Sequence, residues 1–112
     1  MAKKRFARII TMKAKPGRGD EFLKRFRDGV ARTAVELEGM RKLYLLRPVG
    51  KSDEFIAISL WDDEEAAEKY ARSRRNEQYG DMLAAFQWGK EKVKKLNVEL
   101  HVVGERVKGR GE

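Results

Sequence analysis

The chain has 112 residues, enough for one domain and one modest core. No cysteine and a single histidine, His101, exclude disulfides, thiol nucleophiles, thiolate metal sites and a His-rich metal centre within one chain. The net charge of +8 could draw nucleic acid or anionic substrates, but it is spread over Lys3–Arg5, Arg72–Arg75, Lys90–Lys95 and Arg106–Arg110 without a recognisable binding motif, so we read it as solvated surface and expect no nucleic-acid partner.

From Phe6 to Lys15 the β-branched and apolar stretch around Ile9-Ile10-Thr11-Met12 predicts a first strand, stopped by Pro16-Gly17. Asp20 is the expected N-cap of a first helix. Phe22, Phe26, Val30, Ala34 and Leu37 recur at helical spacing behind it, Leu23 widens the stripe, and Gly39 is the stop. Arg41 to Val49 predicts a second strand with Leu43 and Leu45 on one face and Tyr44 and Leu46 on the other. Glu54 to Trp61 predicts a third, with Phe55, Ala57 and Trp61 opposite Ile56, Ile58 and Leu60.

Asp62 with Glu65 reads as a capping box opening a second helix through Ala66, Ala67, Tyr70 and Ala71. That helix should be disturbed near Ser73 and resume through Tyr79, Leu83 and Phe86. A helical turn from Lys90 to Leu96 is expected to lead into a fourth strand, Val98 to Val103.

The order β-α-β-β-α-β predicts a single α+β domain of the ferredoxin-like kind over 1–112, an antiparallel sheet with two helices on one face. Its ordered core is expected at about residues 5–104, with 105–112 a flexible tail. Strands two and three are apolar on both faces, whereas a sheet with one wet face alternates more cleanly. A homodimer joined sheet to sheet would cover the second face. No apolar run approaches the ~20 residues of a membrane helix. Met1–Arg5 lacks the apolar core of a signal peptide, so a cytoplasmic protein is expected. The charged fraction of 39%, with only Asn76, Asn97, Gln78 and Gln87 as side-chain amides, is similar to hyperthermophile composition.

Three segments carry a family resemblance. Lys15-Pro16-Gly17-Arg18-Gly19-Asp20-Glu21-Phe22 resembles the Pro-Gly-x-x-x-x-Phe opening of antibiotic biosynthesis monooxygenase (ABM) domains. Glu38-Gly39-Met40 resembles that family's step into strand two, with Glu38 replacing its proline. Ser59-Leu60-Trp61-Asp62-Asp63-Glu64-Glu65-Ala66 resembles its junction of strand three and helix two. The resemblance implies a dimeric α+β barrel and a ligand cavity between sheet and helices in each protomer. It further implies oxygenation of a hydrophobic aromatic or quinol-like compound without metal or flavin, although some relatives degrade haem and many have no known activity. A non-catalytic ligand-binding or sensing dimer of the same fold is the alternative.

Trp61 matches the family tryptophan and is a candidate wall for a flat ligand, a role compatible with core packing. Tyr70, Asn76 and Tyr79 lie on the second helix where the haem-degrading branch keeps an aromatic residue and then a haem-ligating histidine. Tyr70 fits the former, but the histidine is missing, and strand one has Ile9, Ile10 and Thr11 where that branch uses an asparagine. Tyr79 could still ligate haem as tyrosinate. We expect no bound cofactor. Cofactor-free oxygenation asks the protein to remove a proton, stabilise an anion and exclude water. Tyr44, Tyr70, Asn76, Tyr79 and Trp88 could supply hydrogen bonds, Arg74 or Arg75 could hold an oxyanion, and His101 could act as base if strand four points it inward.

Overall fold

The alternation of Glu54–Trp61 organises the sheet. In the computed structural model, which describes residues 4–50 and 53–104, this segment is strand β3. It pairs antiparallel with β1 (Phe6–Lys13) on one side and β2 (Met40–Leu46) on the other, and β4 (Lys92–Asn97) pairs antiparallel with the free edge of β1. The order β2-β3-β1-β4 places β3 between two parallel strands, the split βαβ arrangement expected of a ferredoxin-like α+β domain.

The first helical run is three pieces in series: α1 (Gly19–Arg25), a π-helical stretch (Phe26–Ala31) and the short α2 (Arg32–Ala34). The second is α3 (Glu64–Ala71) and α4 (Arg74–Ala84), broken at Arg72–Ser73 as the sequence suggests. The break is stable because the Ser73 hydroxyl accepts the Asn76 amide and so caps α4. Phe22, Phe26 and Val30 from the first run and Tyr79 and Leu83 from α4 bury against Met12, Phe55 and Ala57 of the sheet. A smaller cluster joins Phe6 and Trp61 to Ala67 of α3. Among the described residues no helix is long and apolar enough to cross a membrane.

The faces of β3 divide as expected. Phe55, Ala57, Ser59 and Trp61 are buried under the helices, whereas Ile56, Ile58 and Leu60 are only partly covered on the opposite side. There they continue a row with Ile9 of β1 and with the exposed Tyr44 and Leu46 of β2.

Several local expectations are corrected. Asp20 does not cap the first helix, which begins one residue earlier; it pairs with Arg47 at 3.0 Å instead. The Asp53 carboxylate, from the turn before β3, accepts the Gly17 and Gly19 amides at 3.1 Å each and takes over that task. The second cap moves one residue, from Asp62 to Asp63, whose carboxylate accepts the Ala66 amide at 2.9 Å. Asp62 instead takes Arg41 at 2.6 Å while its amide donates to the Gly39 carbonyl.

The fourth strand is Lys92–Asn97, not Val98 to Val103. Its register sets Val93 beside Ile10 and Leu96 beside Ala7, and Asn97 reaches Phe6 at the start of β1. Val98 therefore meets the end of the ladder, donating its amide to the Arg5 carbonyl, and among the described residues the apolar alternation beyond it pairs with no strand. An edge strand wet on both sides needs no apolar alternation, which is why the lysine-rich segment can serve. Residues 105–112, expected to form a tail, lie outside the described residues.

Candidate active site: an aromatic cavity with a buried arginine

Side chains of β1 and β3 that share the inner face build the floor of a cavity of about 300 Å³. The antiparallel register sets Arg8 beside Ser59, Ile10 beside Ala57 and Phe6 beside Trp61. Tyr70 of α3 and Asn76, Tyr79 and Leu83 of α4 form the roof, and Phe26, Val30 and Ala34 close one side. The exposed lining residues Glu77, Gly80 and Glu91 mark its opening.

The π-helical stretch lies next to this space, contributing Phe26 and Val30. It can approach α4 because residue 29 is glycine, where an added Cβ would lie 2.8 Å from the Met82 sulfur. The inserted turn also brings Thr33 to α4. Its hydroxyl shares a 2.6 Å hydrogen bond with the Tyr79 hydroxyl while reaching back to the Gly29 carbonyl at 3.2 Å.

Three aromatic rings line up along one wall. Trp61 and Tyr70 stack at 5.1 Å between centroids with 28° between planes, and Tyr79 follows Tyr70 at 6.3 Å. The Trp61 indole N–H donates to the Ser59 hydroxyl at 2.9 Å, which fixes the ring against the sheet. Burial pushes the Tyr70 hydroxyl up to about 12, with the charge of Arg8 opposing that shift and Tyr79 adding to it. The shift favours the neutral form of Tyr70, whose hydroxyl can donate a hydrogen bond. Asn76 donates its amide to the Ala71 carbonyl at 3.0 Å, a bond that leaves its own carbonyl oxygen unused.

Among the described residues Arg8 is the one strongly basic group in the lining. It is only 7% exposed, its guanidinium lies 5.5 Å from the centre of the Tyr70 ring, and its Nε has no hydrogen-bond partner.

Of the residues the sequence singles out, Trp61, Tyr70, Asn76 and Tyr79 are brought together in this cavity. Arg75 stands behind it, donating to the Glu36 carboxylate at 3.2 Å and to the Tyr79 hydroxyl at 3.5 Å. Arg74 opens α4 on the exposed side and is not in the lining. Tyr44 lies on the opposite face of the sheet, because its parity is that of Ile58, its partner across the ladder. Trp88 is 57% exposed beside the turn after α4, near Ala14 and Pro16. His101 is exposed in the segment after β4, since the strand meant to turn it inward lies earlier in the chain. The reading of isolated residues missed Arg8 and Ser59. The signal for Arg8 was its parity: it shares a face with Phe6, Ile10 and Met12, where a charge is out of place unless it has a task.

The structure is thus a ferredoxin-like α+β sheet with an aromatic-walled cavity held against its helices. The antibiotic biosynthesis monooxygenase (ABM) family matches residues 5–87, and the chain belongs to that family. Solved structures agree on the fold. SnoaB, a cofactor-independent oxygenase from Streptomyces nogalater, superposes with a TM-score of 0.72 at 19% identity, covering 88% of this chain and 97% of that one. A Pseudomonas aeruginosa protein gives 0.72 at 20% identity over 89% and 99% of the two chains. A Nitrosomonas europaea protein of unknown function gives 0.74 at 14% identity over 95% and 100%. No curated protein matches the sequence.

Proposed function

We infer that the protein is an ABM-type monooxygenase acting on a hydrophobic, aromatic or quinol-like small molecule without metal or flavin. The observation that carries this reading is the aromatic wall of Trp61, Tyr70 and Tyr79 along a cavity of about 300 Å³ in a chain of the ABM family. A flat ring system can lie against the partly exposed Tyr70, which Trp61 backs, and Ile10, Met12, Phe26 and Val30 around it exclude water.

The chemistry uses the substrate's own electrons. A proton leaves an activated CH2 or a ring hydroxyl, through water at the opening beside Glu77 and Glu91. The delocalised anion passes one electron to dioxygen, and the carbon radical and superoxide combine in a C–O bond. The hydroperoxide takes up a proton. Where the carbon began as CH2, loss of water leaves a carbonyl: one oxygen atom stays in the product and the other leaves in water with the two hydrogens. The task left to the protein is to hold the ring, donate hydrogen bonds to the anion from Tyr70 and keep the intermediate dry.

The working unit in this reading is a homodimer. Ile9, Ile56, Ile58, Leu60, Tyr44 and Leu46 make an apolar sheet face that a second sheet of the same kind would cover.

Oxygen uptake with a panel of hydroquinones and anthrones tests the function. Turnover without added metal or flavin, and its loss on replacing Trp61 or Tyr70 by alanine, is the expected result. Tight ligand binding with no oxygen consumption would instead favour the non-catalytic binding or sensing dimer.

A further inference from the structure

A charged side chain buried in an apolar cavity needs a counter-ion, because taking it out of water is unfavourable unless an opposite charge or a full set of hydrogen bonds replaces the solvent. Arg8 lacks that set. Its Nε is buried without an acceptor, and the Tyr70 ring 5.5 Å from its guanidinium offers only its face. A carboxylate within electrostatic range, Glu68 of α3, is already held by Lys95 at 2.8 Å, which lowers the Glu68 carboxyl below its ordinary range, and the two carboxylates of the described lining, Glu77 and Glu91, are exposed at its opening. Lys95 is itself the residue across the ladder from Arg8, and with Arg72 also acting on Glu68 this corner holds three cations around that one carboxylate. The other arginine near the aromatic wall, Arg75, is satisfied by Glu36 and Tyr79.

We propose that Arg8 is a binding residue for an oxyanion carried by a planar aromatic ligand stacked on the Trp61–Tyr70 wall, so that the cavity selects acidic aromatic compounds over neutral ones. The proposal deepens the oxygenase reading and rests on the same cavity. The oxyanion has two sources. It is either a carboxylate substituent, which would anchor the ring, or an ionised ring hydroxyl or enol, in which case Arg8 stabilises the same anion that gives its electron to oxygen. In both, the guanidinium donates a charge-assisted hydrogen bond that no described residue now accepts from its Nε.

Binding can be read without turnover. The probes are 2-naphthoate, its uncharged methyl ester and 2-naphthol, titrated calorimetrically into the wild type, Arg8→Lys and Arg8→Met. Wild type should bind the carboxylate at least roughly tenfold tighter than the ester, with the preference weakened in Arg8→Lys and gone in Arg8→Met. If the reacting oxygen is the anion, bound 2-naphthol should ionise at lower pH than free 2-naphthol, a shift absent in Arg8→Met. The carboxylate preference alone identifies an anchoring substituent, and the naphthol shift alone identifies the reacting oxygen. Either one sustains the proposal. Naphthyl compounds that bind without any preference for charge, or a preference that survives in Arg8→Met, overturn it and leave the aromatic cavity intact. No binding of any probe overturns both it and the aromatic-substrate reading. A charge preference with no oxygen uptake on the quinol panel leaves Arg8 in place and removes the oxygenase. Should Arg8→Met fail to fold by circular dichroism, Arg8→Gln takes its place and is read by the same two criteria.

Discussion

The hydroxyls of Thr33 and Tyr79, 46 residues apart in the chain, share a 2.6 Å hydrogen bond that ties the end of the first helical run to the cavity wall. Tyr79 is buried, so whichever partner remains after the other is truncated loses a bond that water cannot fully replace. Thr33→Val and Tyr79→Phe should each cost about 1 kcal/mol, and the double variant little more than either alone. Urea midpoints of the four proteins check this. Fully additive losses would show that the two hydroxyls act independently.

Gly39 occupies the left-handed region at φ +82°, and a Cβ added there would lie 2.6 Å from the Ala66 Cβ. Two penalties coincide at this site, one of backbone conformation and one of contact with α3. Gly39→Ala should cost on the order of 2 kcal/mol or more, whereas Gly17→Ala, with φ +76° and no neighbour within 4 Å, should cost about half as much. Thermal melts of the two variants give the ranking, and equal losses would mean that Ala66 yields freely.

Tyr70 sets an alkaline limit on stability. Its hydroxyl is raised from the ordinary 10.0 to about 12 in the folded protein, chiefly by burial. The folded value lies above the unfolded one, so the stabilisation is complete below pH 10 and is lost as pH rises from about 10 to about 12, where the unfolded chain releases its proton first. Wild type should therefore lose more stability than Tyr70→Phe across that interval. Parallel stability curves for the two proteins would count against it.

The apolar sheet face predicts a dimer in solution burying well above ~1,000 Å² between protomers. Ile58→Asp, placed between Ile9 and Tyr44 on that face, should lower solubility or stability instead of giving a healthy monomer. Sedimentation at micromolar concentration is the direct measurement. A single monomeric species would remove the sheet-to-sheet dimer.

Haem gives a contrast. With no histidine on α3 or α4 and isoleucines at positions 9 and 10 of β1, haem titration should yield no stoichiometric Soret band and no reductant-dependent breakdown. Tight binding followed by degradation would move the protein to the haem-degrading branch.

What could be read from the sequence depended on whether the cause was local. The bounds of β3 and the split of the second helix at Ser73 were legible because alternation and a capping hydroxyl act over a few residues. Asp53 was not legible as the cap of α1, since the two are joined only by the folded turn, 34 residues apart in sequence. The strand at Lys92–Asn97 was hidden because an edge strand tolerates lysine on either face, while Val98, Leu100 and Val102 imitate a strand that β1 is too short to pair with. Tyr70 and Tyr79 stood out as residue types. Arg8 acquires meaning only when the inward parity of β1 is known, which a single arginine cannot reveal.

The lysines of β4 have a consequence for how copies of the chain meet. The described sheet has two open margins, β2 with Lys42 and β4 with Lys92 and Lys94, beside Arg41 and Lys95, which are paired with Asp62 and Glu68. Both margins carry the same sign, so a second molecule approaching edge-on to extend the hydrogen-bonded ladder is repelled at either end, and continuous fibril-like growth is resisted. Molecules that approach broadside meet isoleucine and leucine instead. In the proposed dimer, charge at the rims and oil on the face work together, favouring a closed pair over an open-ended ribbon.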